Sequence, residues 1–141
     1  MELSNDNFKD CCEKEIIIDT NFFMIPFQFN VDIIDELEKA FPSYKLATTK
    51  FIINELVGLK KNLKGKNRVA AGIGLKIAKS GVVEIKDVSL NKDESVDDAL
   101  IRISKVLATN DIELKKRARK KGIPVVYLRQ KKYVVFDGYL E

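Results

Sequence analysis

The sequence predicts an α/β fold in three layers, with helices on both faces of a central, mainly parallel sheet. Three observations carry that prediction. Short apolar runs alternate with helically spaced ones along most of the chain, which is the order of successive βαβ units. The first run, Glu15-Ile16-Ile17-Ile18, is β-branched with no polar alternation, as a strand covered on both faces requires. No repeat, linker or low-complexity stretch interrupts the pattern, so one sheet joined by crossover helices is the economical architecture.

The elements follow in order. Residues 1–14 mix acids and bases and read as an N-terminal arm or lead-in helix ahead of one domain over 15–141. Residues 15–19 form the first strand. Ile33, Ile34, Leu37 and Ala40 fall at helical spacing within 31–41, and Pro42-Ser43 stops that helix. Residues 44–48 make a short second strand. A helix over 50–61 carries Phe51, Ile52, Leu56 and Leu59 on one side; another spans 68–79 and is closed by Ser80-Gly81. Residues 82–85 are the third strand, 96–104 a helix, 106–109 a strand, and 112–121 a helix ended by Gly122. Strands over 124–128 and 133–136 complete the chain. Ligands of such folds bind beyond the carboxyl ends of the strands, where Asp19 and Asp111 fall.

Composition narrows the function classes. With 141 residues, 45% hydrophobic and 33% charged, the chain is one ordinary domain with a real core. It shows no apolar stretch behind a positive N-terminus and no run near the ~18 apolar residues of a membrane span, which argues against export and membrane insertion and for a cytoplasmic location. Cys11 and Cys12 are adjacent and are the only cysteines, and histidine is absent. A disulfide framework and the usual zinc sites are therefore disfavoured, and the thiols are expected to be ordinary and reduced.

Four acids recur at element boundaries: Asp19 after the first strand, Glu55 in a helix, Asp98 near the start of another, and Asp111 after a later strand. Carboxylates gathered at such points suit hard divalent cations, since Mg²⁺ and Mn²⁺ prefer oxygen ligands. Each has a plainer explanation. Asp19 could turn its side chain onto the backbone where the strand ends. Asp98 would stand at the third helical position behind a Ser95 cap, where an acid favours the helix dipole, and Asp111 could itself be an N-cap. Glu55 is harder to explain away, because its neighbours at helical spacing are Phe51, Ile52, Gly58 and Leu59. A carboxylate along an apolar stripe needs a partner from elsewhere.

Basic residues cluster twice. Lys115-Lys116-Arg117-Ala118-Arg119-Lys120-Lys121 holds six cations in seven residues, and Lys60, Lys61, Lys64, Lys66 and Arg68 make a second group. Either could be a solvated helix face. Beside an acidic metal site, the two together point to nucleic acid.

The stretches Ile-Ile-Ile-Asp-Thr-Asn at 16–21, Glu55 in its helix, Asp-Asp-Ala-Leu-Ile at 97–101 and Ala-Thr-Asn-Asp at 108–111 resemble the PIN-domain ribonucleases over almost the whole chain from residue 15. The segment from Ala108 through Arg119, with Gly-Ile-Pro-Val-Val-Tyr-Leu-Arg at 122–129, is most similar to the branch of pre-ribosomal RNA endonucleases and archaeal relatives; VapC-type toxins share the core motifs. The resemblance implies that Asp19, Glu55, Asp98 and Asp111 are the catalytic acids. Asp19, Asp98 and Asp111 would be metal ligands, with Asp97 an alternative or supporting one. Asn21 and Thr109 would be polar groups near the scissile phosphate, and Lys115, Lys116, Arg117 and Arg119 would hold substrate. The chain departs from its relatives in one respect: Asp98 and Asp111 are 13 positions apart, with no turn residue between Ser104 and Val106, so either the helix stops abruptly or residues present in relatives are missing here.

The chemistry so implied is hydrolysis of RNA phosphodiester bonds by one or two Mg²⁺ or Mn²⁺ ions, which lower the pKa of water and stabilise charge on the phosphate. Mutual repulsion should raise at least one carboxyl pKa in the metal-free protein. Single-stranded or looped RNA is the expected substrate, since a recessed acidic pocket admits an exposed strand more readily than a duplex. A homodimer and an antitoxin protein are further expected partners. Two other readings stand beside the nuclease: a noncatalytic PIN-like RNA-binding or scaffold module, and a receiver-like signalling domain, which the position of Asp19 on the first strand disfavours.

Overall fold

The computed structural model describes residues 14–138, so nearly all of the arm expected over 1–14, with Cys11 and Cys12, lies outside the described residues. Among the described residues, six strands and six helices follow one another. β1 (Glu15–Ile18) leads to α1 (Thr20–Phe29) and α2 (Ile33–Ala40), β2 (Lys45–Thr49) to α3 (Lys50–Asn62) and α4 (Gly65–Ala78), and β3 (Glu84–Lys86) to α5 (Val96–Ile103). β4 (Leu107–Ala108), α6 (Ile112–Lys120), β5 (Val125–Arg129) and β6 (Tyr133–Asp137) close the fold.

The strands make one sheet in the order β3-β2-β1-β4-β5-β6. All neighbours are parallel except β5 and β6, which are antiparallel across a tight turn. The order runs one way from β1 through β2 to β3 and the other way from β1 through β4 to β5. With right-handed crossovers, that reversal puts the helices after β1 and β2 on one face and those after β3 and β4 on the other. In keeping with it, α4 packs on α1 and α3, while α5 contacts α6. The reversal falls between β1 and β4, and open α/β sheets bind ligands at such a point, beyond the carboxyl ends of the strands.

Every residue of β1 is buried, as its unalternated sequence predicts. The element the sequence did not predict is α1. Its segment Thr-Asn-Phe-Phe-Met-Ile-Pro-Phe-Gln-Phe is apolar all round, with Phe22, Phe23, Met24 and Ile25 all buried, so no polar stripe marks a 3.6-residue period. Pro26 lies inside it and cannot donate to the carbonyl one turn back. The helix survives because both of its sides are covered, and Asn30 ends it in the left-handed conformation (φ 55°). Against its outer side α4 comes so close that a Cβ at Gly74 would stand 2.7 Å from the Phe23 carbonyl oxygen.

The abrupt stop expected between Asp98 and Asp111 is real and unstrained. α5 ends at Ile103, and Ser104 closes it by donating its backbone N–H to the Leu100 carbonyl at 3.0 Å. After Lys105 and Val106 the chain enters β4 at Leu107.

Candidate active site

Four acids are placed by the ordinary needs of helix ends. Asp19 is the N-cap of α1, its Oδ1 accepting from the Thr20 N–H at 2.7 Å. Asp111 caps α6, its Oδ1 accepting from Glu113 N at 2.9 Å and Leu114 N at 3.1 Å. Ser95 caps α5 and accepts from Asp98 N at 3.1 Å, which puts Asp97 and Asp98 in that helix's first turn. The plainer sequence readings of Asp98 and Asp111 thus hold, and the same caps fix where both carboxylates sit.

Asp19 is the buried member, 5% exposed. Its Oδ2 accepts from the Thr109 hydroxyl at 2.8 Å, and its backbone N–H donates to the Ala108 carbonyl at 2.9 Å, so β1 and β4 deliver their exits side by side. Burial lifts its carboxyl to about 6, against hydrogen bonds from Thr109 and Thr20 that lower it; the charges of Glu55 and Asp97 push it further up. A raised carboxyl was expected from mutual repulsion. The dominant cause is desolvation, with repulsion added to it.

Asp97 and Asp98 point to different surroundings. Asp98 is exposed and takes an ion pair from the Arg117 guanidinium, which holds its carboxyl below the usual range. Asp97 is partly buried; desolvation and then the Asp111 charge raise its carboxyl, opposed by Arg117. Its charge is also felt at Asp19. Of the doublet, Asp97 is therefore the acid electrostatically joined to both strand-end aspartates, whereas Asp98 is turned to a cation.

Glu55 does not lie on the apolar stripe of α3. That stripe is Phe51, Ile52, Ile53 and Leu56, and Glu55 is exposed beside it. Its partner is the Thr20 hydroxyl, which donates to Oε1. Thr49 starts α3 by accepting from Ile52 N at 3.2 Å, and the Thr48 hydroxyl donates to the Ile18 carbonyl at 3.1 Å, so the end of β2 aligns Glu55 with the end of β1. Thr20 was not singled out in the sequence; its place next to Asp19 is the signal that marks it.

Asp19, the Thr109–Asp111 turn and Glu55 are thus gathered over the carboxyl ends of β1, β4 and β2. The sequence matches the PIN like domain family over residues 16–131. The chain belongs to the PIN-like domain family. Ribonuclease VapC9 of Archaeoglobus fulgidus is 33% identical over 121 residues, spanning 86% of this chain and 87% of that protein. Ribonuclease VapC4 of Methanocaldococcus jannaschii is 33% identical over 132 residues, spanning 88% and 97%. The structure of the PIN domain endonuclease Utp24 superposes with a TM-score of 0.71 at 26% identity, covering 90% of this chain and 93% of that one.

In this PIN-like domain the remaining polar groups divide clearly. Asn21 Oδ1 accepts from the Asn110 N–H at 3.0 Å, and Thr109 accepts from the Asp111 N–H at 3.1 Å. On the basic helix α6, Lys115 and Arg119 turn away from the acids. Lys115 lies 3.5 Å from the Tyr127 ring centroid and 3.8 Å from Asp137, and Arg119 is 3.5 Å from Asp137 and donates to the Ile123 carbonyl. Those two hold β6 against the helix. Arg117 pairs with Asp98, and Lys116 is exposed. The second basic group, Lys60, Lys61, Lys64, Lys66 and Arg68, is exposed around the turn between α3 and α4. No helix among the described residues is long and apolar enough to cross a membrane.

The donor set fits a hard cation in kind, since every charged group around Asp19 offers carboxylate oxygen. Among the described residues no group of three acids is drawn together tightly enough to hold an ion by itself. Mg²⁺ is ordinarily bound through one or two carboxylates and keeps several waters, which this looser arrangement suits.

Proposed function

We propose that this chain is a metal-dependent endoribonuclease whose site is built from Asp19, Asp97, Asp111 and Glu55. The observation that carries the reading is the buried Asp19 carboxylate, held at the sheet's reversal point with the charges of Glu55 and Asp97 added to its own. Such a group is costly in isolation and is offset by a cation. The ribonuclease names of both relatives and the endonuclease title of the superposable structure point the same way.

Asp19 and Asp97 would hold Mg²⁺ or Mn²⁺, with Asp111 and Glu55 contributing charge or water contacts. When bound, the ion supplies stabilisation of charge on the phosphate and lowers the pKa of water. Thr109 keeps Asp19 oriented, and Asn21 fixes the turn after β4. Asp98 and Arg117 would form the rim: while paired with Asp98, Arg117 is near enough for its charge to be felt at Asp97, and it would be the cation nearest a phosphate brought to the ion. Lys116 and the cations at the α3–α4 turn would take up flanking phosphates, a sequence-independent and salt-sensitive contribution. Single-stranded or looped RNA is the substrate favoured by a carboxylate as recessed as Asp19. The VapC names of the two relatives favour a toxin with a protein antitoxin over a role in RNA maturation.

A mixed RNA pool incubated with wild type, Asp19→Asn, Asp97→Asn and Asp98→Asn, in Mg²⁺, Mn²⁺ or EDTA, tests the proposal. Cleavage by wild type in metal alone, lost in Asp19→Asn, supports it. RNA binding without cleavage in any lane would instead establish the noncatalytic binding module.

A further inference from the structure

Asn110 stands between Thr109 and Asp111, and it is tied on both sides by bonds that neither neighbour makes. Its backbone N–H donates to Asn21 Oδ1 at 3.0 Å, and its side-chain Oδ1 accepts from the Leu128 N–H at 2.8 Å. One residue thereby joins the first turn of α1, the exit of β4 and the far part of β5. The regular pairing of β4 with β5 covers only Leu107 with Val125 and Ala108 with Val126. Beyond it Thr109 N donates to the Val126 carbonyl at 3.0 Å, and the next N–H facing β4, that of Leu128, is met by the Asn110 side chain in place of backbone.

From this geometry we infer that Asn110 is a positioning residue for the cation site. By continuing the β4–β5 ladder with its side chain, it fixes the turn from which Thr109 reaches Asp19 and Asp111 caps α6. The separation of the two strand-end carboxylates is set through it. A side chain of another length or without an acceptor leaves the Leu128 N–H unmet and frees that turn. The inference rests on the metal-site reading above and deepens it, because Asn110 touches neither carboxylate.

Asn110 is partly exposed, and one hydrogen bond is a small part of a domain's stability, so the variants remain folded. The probes are Mn²⁺ alone, followed by titration calorimetry, and amide hydrogen exchange at Leu128. Asn110→Ala should lose protection at Leu128 and bind Mn²⁺ about 10-fold or more weakly, as outer contacts of metal ligands typically do. Asn110→Asp keeps the acceptor and should restore both Leu128 protection and Mn²⁺ affinity, which a merely destabilising loop change would not do selectively. Asn110→Ala that loses Leu128 protection yet binds Mn²⁺ like wild type overturns the inference. So does Asn110→Asp that protects Leu128 but binds as weakly as the alanine variant. Wild type that binds no Mn²⁺ defeats the metal-site reading itself, a result separate from either.

Discussion

The Thr109 hydroxyl donates to Asp19 Oδ2 at 2.8 Å while accepting from the Asp111 N–H at 3.1 Å. One fully buried oxygen thus links the acid after β1 to the acid after β4. Thr109→Val keeps the shape and removes both bonds. Because the Thr109 bond holds the Asp19 carboxyl down, the variant should titrate Asp19 above its wild-type value of about 6. Carboxyl-carbon NMR in EDTA reads this directly, and cleavage should fall about 10–100-fold. An unmoved Asp19 titration would mean that the hydroxyl does not sustain the carboxylate.

Asp19 also sets a pH dependence of stability. Its folded pKa of about 6 exceeds its ordinary value of 3.8, so between those values the folded chain holds a proton that the unfolded chain has released. Stability of the metal-free protein therefore falls as pH rises through that window, then levels off. Asp19→Asn removes the charge and keeps an acceptor for Thr20. At pH 7.5 in EDTA it should unfold in urea with about 1–3 kcal/mol more stability than wild type. The difference should shrink toward pH 4. A variant no more stable than wild type at pH 7.5 would contradict the burial argument.

The doublet at 97 and 98 separates cleanly. Asp97→Asn removes a charge felt at Asp19 and should lower cleavage by about 100-fold or more and weaken Mn²⁺ binding. Asp98→Asn weakens an exposed pair with Arg117 and a side-chain hydrogen bond with Ser95, and exposed pairs contribute about 0–1 kcal/mol. Its activity should stay within about 10-fold of wild type. Equal losses in the two variants would show that both carboxylates serve the ion.

Most of this architecture is legible in the chain because burial patterns write it there. The β-branched run of β1, the amphipathic spacing of α2 and α3 and the glycine after α6 each state a local preference that the fold obeys. α1 escaped because a helix covered on two sides has no polar face to give it a period, and Pro26 argues against it locally. The site was legible in part. Asp19, Thr109 and Asp111 follow strands, so their convergence is implied by parallel topology. Which of Asp97 and Asp98 faces inward is not, since adjacent helical positions differ by about 100° and the Ser95 cap sets their phase. The partner of Glu55 was hidden because the helix that supplies Thr20 was itself hidden.

Gly74 tests the packing that supports that helix. A Cβ there would meet the Phe23 carbonyl oxygen at 2.7 Å and its carbon at 3.0 Å, both backbone atoms. Gly74→Ala should therefore destabilise the domain by about 1–3 kcal/mol. At Gly72 the nearest atoms are the flexible end of Lys60, at 3.7 Å. Gly72→Ala, at a helical position without a clash, should be neutral or stabilising by up to about 1 kcal/mol. Urea midpoints of the pair decide whether close helix approach, and not glycine as such, matters.

The basic helix α6 should divide in the same way between fold and substrate. Lys115 and Arg119 are one helical turn apart and both reach Asp137, with Lys115 also over Tyr127. Their ammonium and guanidinium groups share the single Asp137 carboxylate on β6, and this tie makes them poorer candidates for phosphate contacts than a cation with no acid beside it. Lys116 stands exposed on another side of the helix. Each phosphate contact removed should lower the slope of log affinity against log salt by a little under one for single-stranded nucleic acid. Lys116→Ala should show that reduced slope with an unchanged melting temperature. Arg119→Ala should show the reverse, a lower melting temperature with the slope retained, because what it loses is the tie between α6 and β6. If Arg119→Ala instead flattens the salt dependence at constant stability, Asp137 releases its arginine to RNA and the helix presents a wider cationic face than its resting contacts indicate.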